Sequence, residues 1–331
     1  MADKYFVSAA PHFRKDESVG KIMGTVNAAL APAALISVYI FGWCSLGVLL
    51  VAILSAVITE ALIQRCRRQP VTVSDGSAFM TGMLLAFNLP ANAPLWLPAV
   101  GGVFAIAIGK QAFGGLGRNI FNPALAGRAF LMAAWPQRMT AFMRPFSVDA
   151  VTQATPLMLL KEGKASGLAD MGLDYFDLFM GFRGGSLGEV CGLALVLGGV
   201  YLLWRRIISW HTPVSFILAA GAFGWIFGSP DGFFKGDFLF QILSGGLLLG
   251  AIFMATDYVT SPITNKGQLV FGTCCGLLTG VIRRWGGYPE GVCYAILIMN
   301  AAVPLIDRFV KPRRYGVTRQ ERNSGLARRA P

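Results

Sequence analysis

Charge is what this sequence has least of. Only 14% of its 331 residues are charged, against 54% hydrophobic, and its mean hydropathy is +0.56. An ordinary soluble domain carries roughly a quarter of its residues charged, so that class is excluded and the chain reads as a polytopic membrane protein. Metal-ligand and disulfide spacing are missing as well: Cys44, Cys66, Cys191, Cys274, Cys275 and Cys293 form no CxxC. They read as small buried hydrophobes, and no metal site is expected. His211, before Thr212-Pro213, reads as part of a connection between spans. The glycine-rich stretches "GGLLLG" and "GGLG" lack a following Lys-Ser/Thr, so they suit close helix packing rather than phosphate binding.

What charge there is has one sign, a net +12. The basic residues fall in short clusters between apolar runs, such as "RCRR" at 65–68 and "KPRR" at 311–314. That distribution orients a chain in a bilayer and does not make a nucleic-acid surface. A span needs about 20 apolar residues. Ten candidates stand near 22–41, 44–63, 77–89, 95–110, 119–135, 187–204, 213–228, 238–256, 268–282 and 290–309. The third, "SAFMTGMLLAFNL" closed by Pro90, is short enough to be a half-helix held among others.

The spans divide into five, a polar interval, and five more. Pro90 and Gly114-Gly115 recur at the same offset as Pro262 and Gly286-Gly287. The expected fold is therefore an all-α polytopic membrane protein of about ten transmembrane helices in two inverted five-helix repeats, with short or broken helices. The expected divisions are a polar leader 1–21, which does not fit a cleavable signal peptide, a first repeat 22–135, a loop 136–186, a second repeat 187–310 and a basic tail 311–331. Counting Lys and Arg in short loops puts both termini on the cytoplasmic side, with Arg283 and Arg284 as the main exceptions, and 136–186 on the opposite face.

That loop contains "DAVTQATPL", Asp149 to Leu157. By residue type alone, Thr152 and Thr155 are helix N-caps, with Pro156 at the first helical position and "LMLL" behind it. The spacing D-x-x-T-x-A-T made by Asp149, Thr152, Ala154 and Thr155 also resembles the flavinylation motif of the NqrB/RnfD family of membrane subunits. "KQAFGGLGRNIFNPALAGRAF", Lys110 to Phe130, resembles that family's G-R-N-x-x-N-P signature, and "FMATDYVTSPITNKG", from Phe253, its M-A-T-D run. The resemblance covers nearly the whole chain, and the length is more like the RnfD members. Gln153 departs from the Gly or Ser that many relatives carry.

The resemblance implies FMN esterified through its phosphate to Thr155. Such a transfer asks for an exposed hydroxyl on a mobile segment, and Arg138, Arg144, Lys161 and Lys164 stand near enough in the sequence to offset phosphate charge. The resemblance also implies a second, noncovalent flavin, riboflavin, at Thr81, Asn119 and Asn122. Carboxamides match the donors and acceptors of a flavin edge, and N-x-x-N places both amides on one helical face; capping before Pro123 is the plain reading of the same residues. It further implies an Rnf-type ferredoxin:NAD oxidoreductase of the bacterial inner membrane, coupled to Na⁺ or H⁺. Its partners would be a second covalent-flavin subunit, membrane iron–sulfur subunits and a flavin transferase for maturation. The alternatives are an NqrB-type subunit of a Na⁺-translocating NADH:quinone reductase, or a channel or transporter for small solutes on the same plan. No NAD, ferredoxin or iron–sulfur motif stands in this chain. Ionisable residues within spans are functional candidates by default. Glu60 and Asp257 are ion-path candidates, Glu60 with Arg65 in pairing range, and Arg128 is expected to meet a carboxylate or a helix C-terminus.

Overall fold

The computed structural model describes residues 18–146, 153–164, 168–189, 191–229, 232–288 and 290–311. Asp149 and Thr152 of the D-x-x-T-x-A-T spacing lie outside the described residues, as do most of the leader and the basic tail.

The described chain is helical, and each apolar run expected from the sequence holds a helix or a broken helix. In order these are α1 (Val19–Phe41), α2 (Trp43–Cys66), α3 (Ser77–Phe87), α4 (Trp96–Ala107), α5 (Pro123–Ala134) and the single turn α6 (Pro136–Met139). The polar interval contributes α7 (Pro156–Lys161) and α8 (Tyr175–Met180). Then come α9 (Gly192–Trp204), α10 (His211–Phe227), α11 (Phe238–Leu243), the one-turn α12 (Leu247–Leu249), α13 (Asn265–Trp285) and α14 (Val292–Phe309). His211 is thus the first residue of α10 rather than a loop residue, stacked on Trp210 at 4.2 Å. By length and apolarity four segments among the described residues suffice to cross a membrane: Val19–Phe41, Trp43–Cys66, Trp96–Phe113 and Val292–Phe309.

α2 shows what lipid as solvent does to a helix. Leu50, Leu54, Ile58 and Leu62, four residues apart, form an exposed stripe, while Ala52, Ala56, Glu60 and Gln64 on the opposite side are buried. A helix in lipid keeps its apolar residues outside and saves its interior face for small and polar groups. Cys44 and Cys66, at the two ends of α2, are exposed, unlike the buried Cys191, Cys275 and Cys293.

α2 packs on α3 and α4, and α10 packs on α13; across the middle, α1 meets α9 and α5 meets α14. The two principal pairs use the same device. A Cβ on Gly102 of α4 would overlap the Ser55 hydroxyl of α2, and one on Gly272 of α13 would overlap the Ser215 hydroxyl of α10. Each hydroxyl is turned back onto its own helix, to Ala52 O at 3.0 Å and Thr212 O at 3.2 Å, so the backbones approach without a stranded donor.

Two helices stop inside the protein. The C-terminal carbonyls of α3 are taken up by a returning strand of chain: Gly188 N donates to Phe87 O at 2.8 Å and Leu187 N to Leu89 O at 3.0 Å. The second stop is at Ser244-Gly245-Gly246, between α11 and α12, after which the chain continues through a π-helical turn at Gly250–Met254. Gly245 sits at φ +67, and a Cβ there would lie 2.8 Å from Leu157. Only glycine meets both demands without strain.

Candidate functional site

Helix α5 carries polar groups into two separate cavities. Its entry is fixed locally: Asn122 is the N-cap, its Oδ1 accepting from Ala124 N at 3.0 Å and Leu125 N at 3.4 Å, with Pro123 at the first helical position. Asn122 Nδ2 reaches across to Met254 O at 3.2 Å, where the π turn leaves a carbonyl free. Asn119 precedes the helix in an irregular segment, so the two amides do not share a helical face as the N-x-x-N spacing suggested; proline at the first position moves the helix start past both. Asn119 Nδ2 donates to Phe121 O at 3.1 Å, and its buried Oδ1 has no hydrogen-bond partner among the described residues.

Thr81, Asn122, Thr256 and Asp257 contribute to the lining of one cavity of about 570 Å³, whose other walls include Leu84, Phe253 and Ile22. Its largely apolar lining with a few polar groups suits a small organic ligand. Thr81 Oγ1 donates to Ser77 O at 3.0 Å, and Asp257 accepts from Thr260 Oγ1 at 3.2 Å. Asn119 does not line this cavity.

The other cavity, about 450 Å³, is walled by Arg128, Ala129 and Met132 of α5, by Thr140, Phe142 and Thr155, and by Tyr288, Glu290, Cys293 and Tyr294. Asn122 and Arg128 are six residues apart on the helix, so the two cavities open onto α5 about 9 Å apart along its axis. Thr155 is the N-cap of α7, accepting from Met158 N at 3.3 Å, with Pro156 following as the capping pattern requires. Its side chain is 6% exposed and turned into the cavity, which corrects the expectation of an exposed hydroxyl on a mobile segment. The cause is α7 itself: Leu157 is buried against Leu178 and Phe240, and docking that apolar residue carries the preceding threonine inward. Ala154, beside it, is half-buried.

Of the basic residues expected near Thr155, Arg138 and Arg144 are exposed, and Lys164 pairs with Glu162 at 2.6 Å. Lys161 caps the carbonyls of Gly286 and Tyr288, and partial burial lowers its pKa. The cation that does share the cavity is Arg128. It bonds Asn88 Oδ1 at 2.6 Å through one Nη and Glu290 through the other, so the carboxylate expected for it is found.

Arg128 belongs to a larger group gathered at the break between α11 and α12. Arg183 donates to Leu243 O at 2.7 Å; Arg283 donates to Gln241 O at 2.6 Å and Ser244 O at 2.9 Å. Glu290 accepts from Gly246 N at 3.1 Å. The carbonyl end of α11 is thus covered by guanidinium groups and the amide end of α12 by a carboxylate, the sense the helix dipoles favour. Arg183, Glu189, Arg283 and Glu290 were not singled out as site residues from the sequence. One signal was present: Arg283 broke the count of basic residues by side because it is a buried capping residue and not an orienting charge.

A third polar group is closed on itself. Glu60 and Lys110 are each 1% exposed and pair at 2.7 Å. Gln111 Nε2 donates to Glu60 Oε1 at 2.9 Å, and Lys110 Nζ donates to Ser77 Oγ at 2.6 Å. The partner of Glu60 is therefore Lys110, just past α4, and not the neighbouring Arg65. Asp257 borders the cavity lined by Thr81 and Asn122 and shares no hydrogen bond with Glu60 among the described residues.

These features define a class: a helical membrane protein with broken helices and, among the described residues, two largely apolar cavities bordering one helix. The family model described as "NQR2, RnfD, RnfE family" matches residues 6–316, and the chain belongs to that family. It is 49% identical over 321 residues to the D component of the proton-translocating ferredoxin:NAD(+) oxidoreductase complex of Clostridium ljungdahlii, covering 95% of this chain and 97% of that one. It is also 49% identical over 315 residues to the D component of the Na(+)-translocating ferredoxin:NAD(+) oxidoreductase complex of Acetobacterium woodii, covering 95% and 96%. The D component of the ion-translocating oxidoreductase complex of Stutzerimonas stutzeri is 41% identical, covering 90% and 92%.

Proposed function

We propose that this chain is the flavin-carrying electron-transfer subunit of an Rnf-type complex, a membrane ferredoxin:NAD oxidoreductase whose electron flow moves Na⁺ or H⁺ across the bacterial inner membrane. The observation that carries this reading is the near full-length identity, 49%, to two proteins named as the D component of such complexes. One of those names specifies protons and the other Na⁺ at equal identity, so the coupling ion is not assigned from them.

FMN is esterified to Thr155. The residues present suit that group: the hydroxyl faces a cavity shared with the Arg128 guanidinium, which offsets phosphodiester charge, and with the stacked rings of Tyr288 and Tyr294, 5.1 Å apart. Met132 and Phe142 add apolar wall to it. When bound, the flavin supplies the electron chemistry, and the chain supplies position, dryness and field. Because the hydroxyl is buried, the flavin transferase reaches Thr155 before α7 docks. Riboflavin binds in the 570 Å³ cavity beside Thr81 and Asn122. Asn122 already engages both ends of its amide within the protein, so a flavin edge there depends more on Thr81.

The ten helices or broken helices form two inverted repeats with both termini cytoplasmic. The matching Gly102–Ser55 and Gly272–Ser215 contacts, one in each half, and the pairing of α1 with α9 and α5 with α14 support this. Other Rnf subunits, including a second covalent-flavin subunit and membrane iron–sulfur subunits, complete the electron path.

The test uses the complex matured in its own host. After denaturation the chain fluoresces in the gel, the Asp149–Lys161 peptide carries an FMN-sized mass, and both signals vanish in Thr155→Ala. A colourless, unmodified chain from that source overturns the reading. Iron–sulfur subunits co-purify if the assembly is of the Rnf type and not a quinone reductase.

A further inference from the structure

Behind the wall of the Thr155 cavity lies a carboxyl that neither the helix caps nor the proposed flavin site uses. Glu189, 4% exposed, stands in the connection before α9, with no hydrogen-bond partner at Oε1 among the described residues. It packs beside Gly185 and Gly246, and Gly246 also donates its N–H to Glu290, which does line the cavity, so the two carboxyls gather at one glycine and interact. Two buried carboxyls in contact do not both ionise; they hold a proton between them. Glu290 already accepts from Arg128 and from Gly246 N and has Arg283 beside it, so it is the ionised member, and the proton rests on Glu189.

The charged and titratable groups facing the pair come from every side. Arg128 approaches from α5, Arg283 from α13, Cys293 from α14 and Arg183 from the chain before α9. At the break, the α11–α12 segment contributes only backbone to the pair, through Gly246 N. With one proton on the pair the group holds three guanidinium charges against one carboxylate.

We propose that Glu189 and Glu290 form a proton-binding site behind the Thr155 cavity, holding one proton at rest and taking up a second when the cavity gains a negative charge. This rests on the flavin reading above. Arg128 faces both Glu290 and the cavity. Negative charge arriving in the cavity competes for that guanidinium and weakens the field that keeps Glu290 ionised. The balance is one electron in, from a one-electron carrier of the flavin or iron–sulfur class, and one proton in from water. The only bond formed in this chain is O–H at the Glu290 carboxylate, and both charges leave on reoxidation.

Infrared difference spectra of the matured complex, reduced minus oxidised, test it. The wild type gains a protonated-carboxyl C=O band that shifts in D₂O. Glu290→Gln removes the carboxylate that takes up the second proton and abolishes the gain, whereas Glu189→Gln keeps a neutral donor against Glu290 and retains it. No such band in the wild type, or an unchanged band in Glu290→Gln, overturns the proposal. Fluorescence of the unfolded chain is read on the same preparations. Its absence sinks the flavin reading, and the pair is then judged by the resting spectrum near neutral pH, where a wild type and a Glu189→Gln with equal protonated-carboxyl absorbance overturn the resting proton. Fluorescence present without a redox-linked carboxyl change sinks the pair alone.

Discussion

Two groups of buried charge stand among the described residues, and they are built on opposite principles. Around Glu60 every group is matched: one carboxylate meets one ammonium, and Gln111 and Ser77 use what remains of their hydrogen-bonding capacity. Around the break between α11 and α12 the match is incomplete. Three arginines face two glutamates, and Arg183 Nε, Arg283 Nε and Glu189 Oε1 have no partner among the described residues. The first group borders neither of the cavities described above, while the second forms part of the wall of one. A saturated buried pair holds helices in register; an unsaturated one beside a cavity is positioned to answer a change of charge there.

The sharpest way to break this comparison is to remove one partner of the closed group. Glu60→Ala strands the Lys110 ammonium and lowers stability by about 3–5 kcal/mol, read as a fall in the melting temperature of the detergent-solubilised protein. The double variant Glu60→Leu, Lys110→Met recovers most of that loss; if it melts as low as the single variant, the pair is not merely structural. Arg128→Lys keeps a charge but cannot reach both Asn88 and Glu290, and costs about 1.5–3 kcal/mol. Its larger consequence is a reduced yield of covalent fluorescence, which Glu60→Ala does not produce at equal protein recovery. Equal fluorescence loss in the two would erase the distinction between the groups. Gly245→Ala places a Cβ against Leu157 at positive φ and costs about 1–2 kcal/mol from the backbone alone; thermal unfolding decides it. Smallest is Asn122→Ala, which loses a helix cap, costs about 1 kcal/mol and lowers bound riboflavin.

Much of the fold was legible. Hydropathy located all ten apolar segments, Pro123 and Pro156 marked two helix starts, and the short run at 77–89 is the helix α3, stopped inside the protein. The caps at Asn122 and Thr155 were readable because a cap is a local contract between a side chain and amides two or three residues on. The partner of Glu60 was not readable, since Lys110 lies 50 residues away and the nearer Arg65 was the only basic residue that spacing could propose. Nor was the burial of Thr155, which depends on where Leu157 docks.

By itself the sequence determined that the chain lives in lipid, where its helices run and how they begin, because hydropathy and capping act over a few residues. Only the tertiary structure decided which buried charges meet. Arg183, Arg283 and Glu290 come from separated segments, and they converge because a helix broken inside the protein exposes carbonyls and amides that water cannot reach and these charged side chains satisfy.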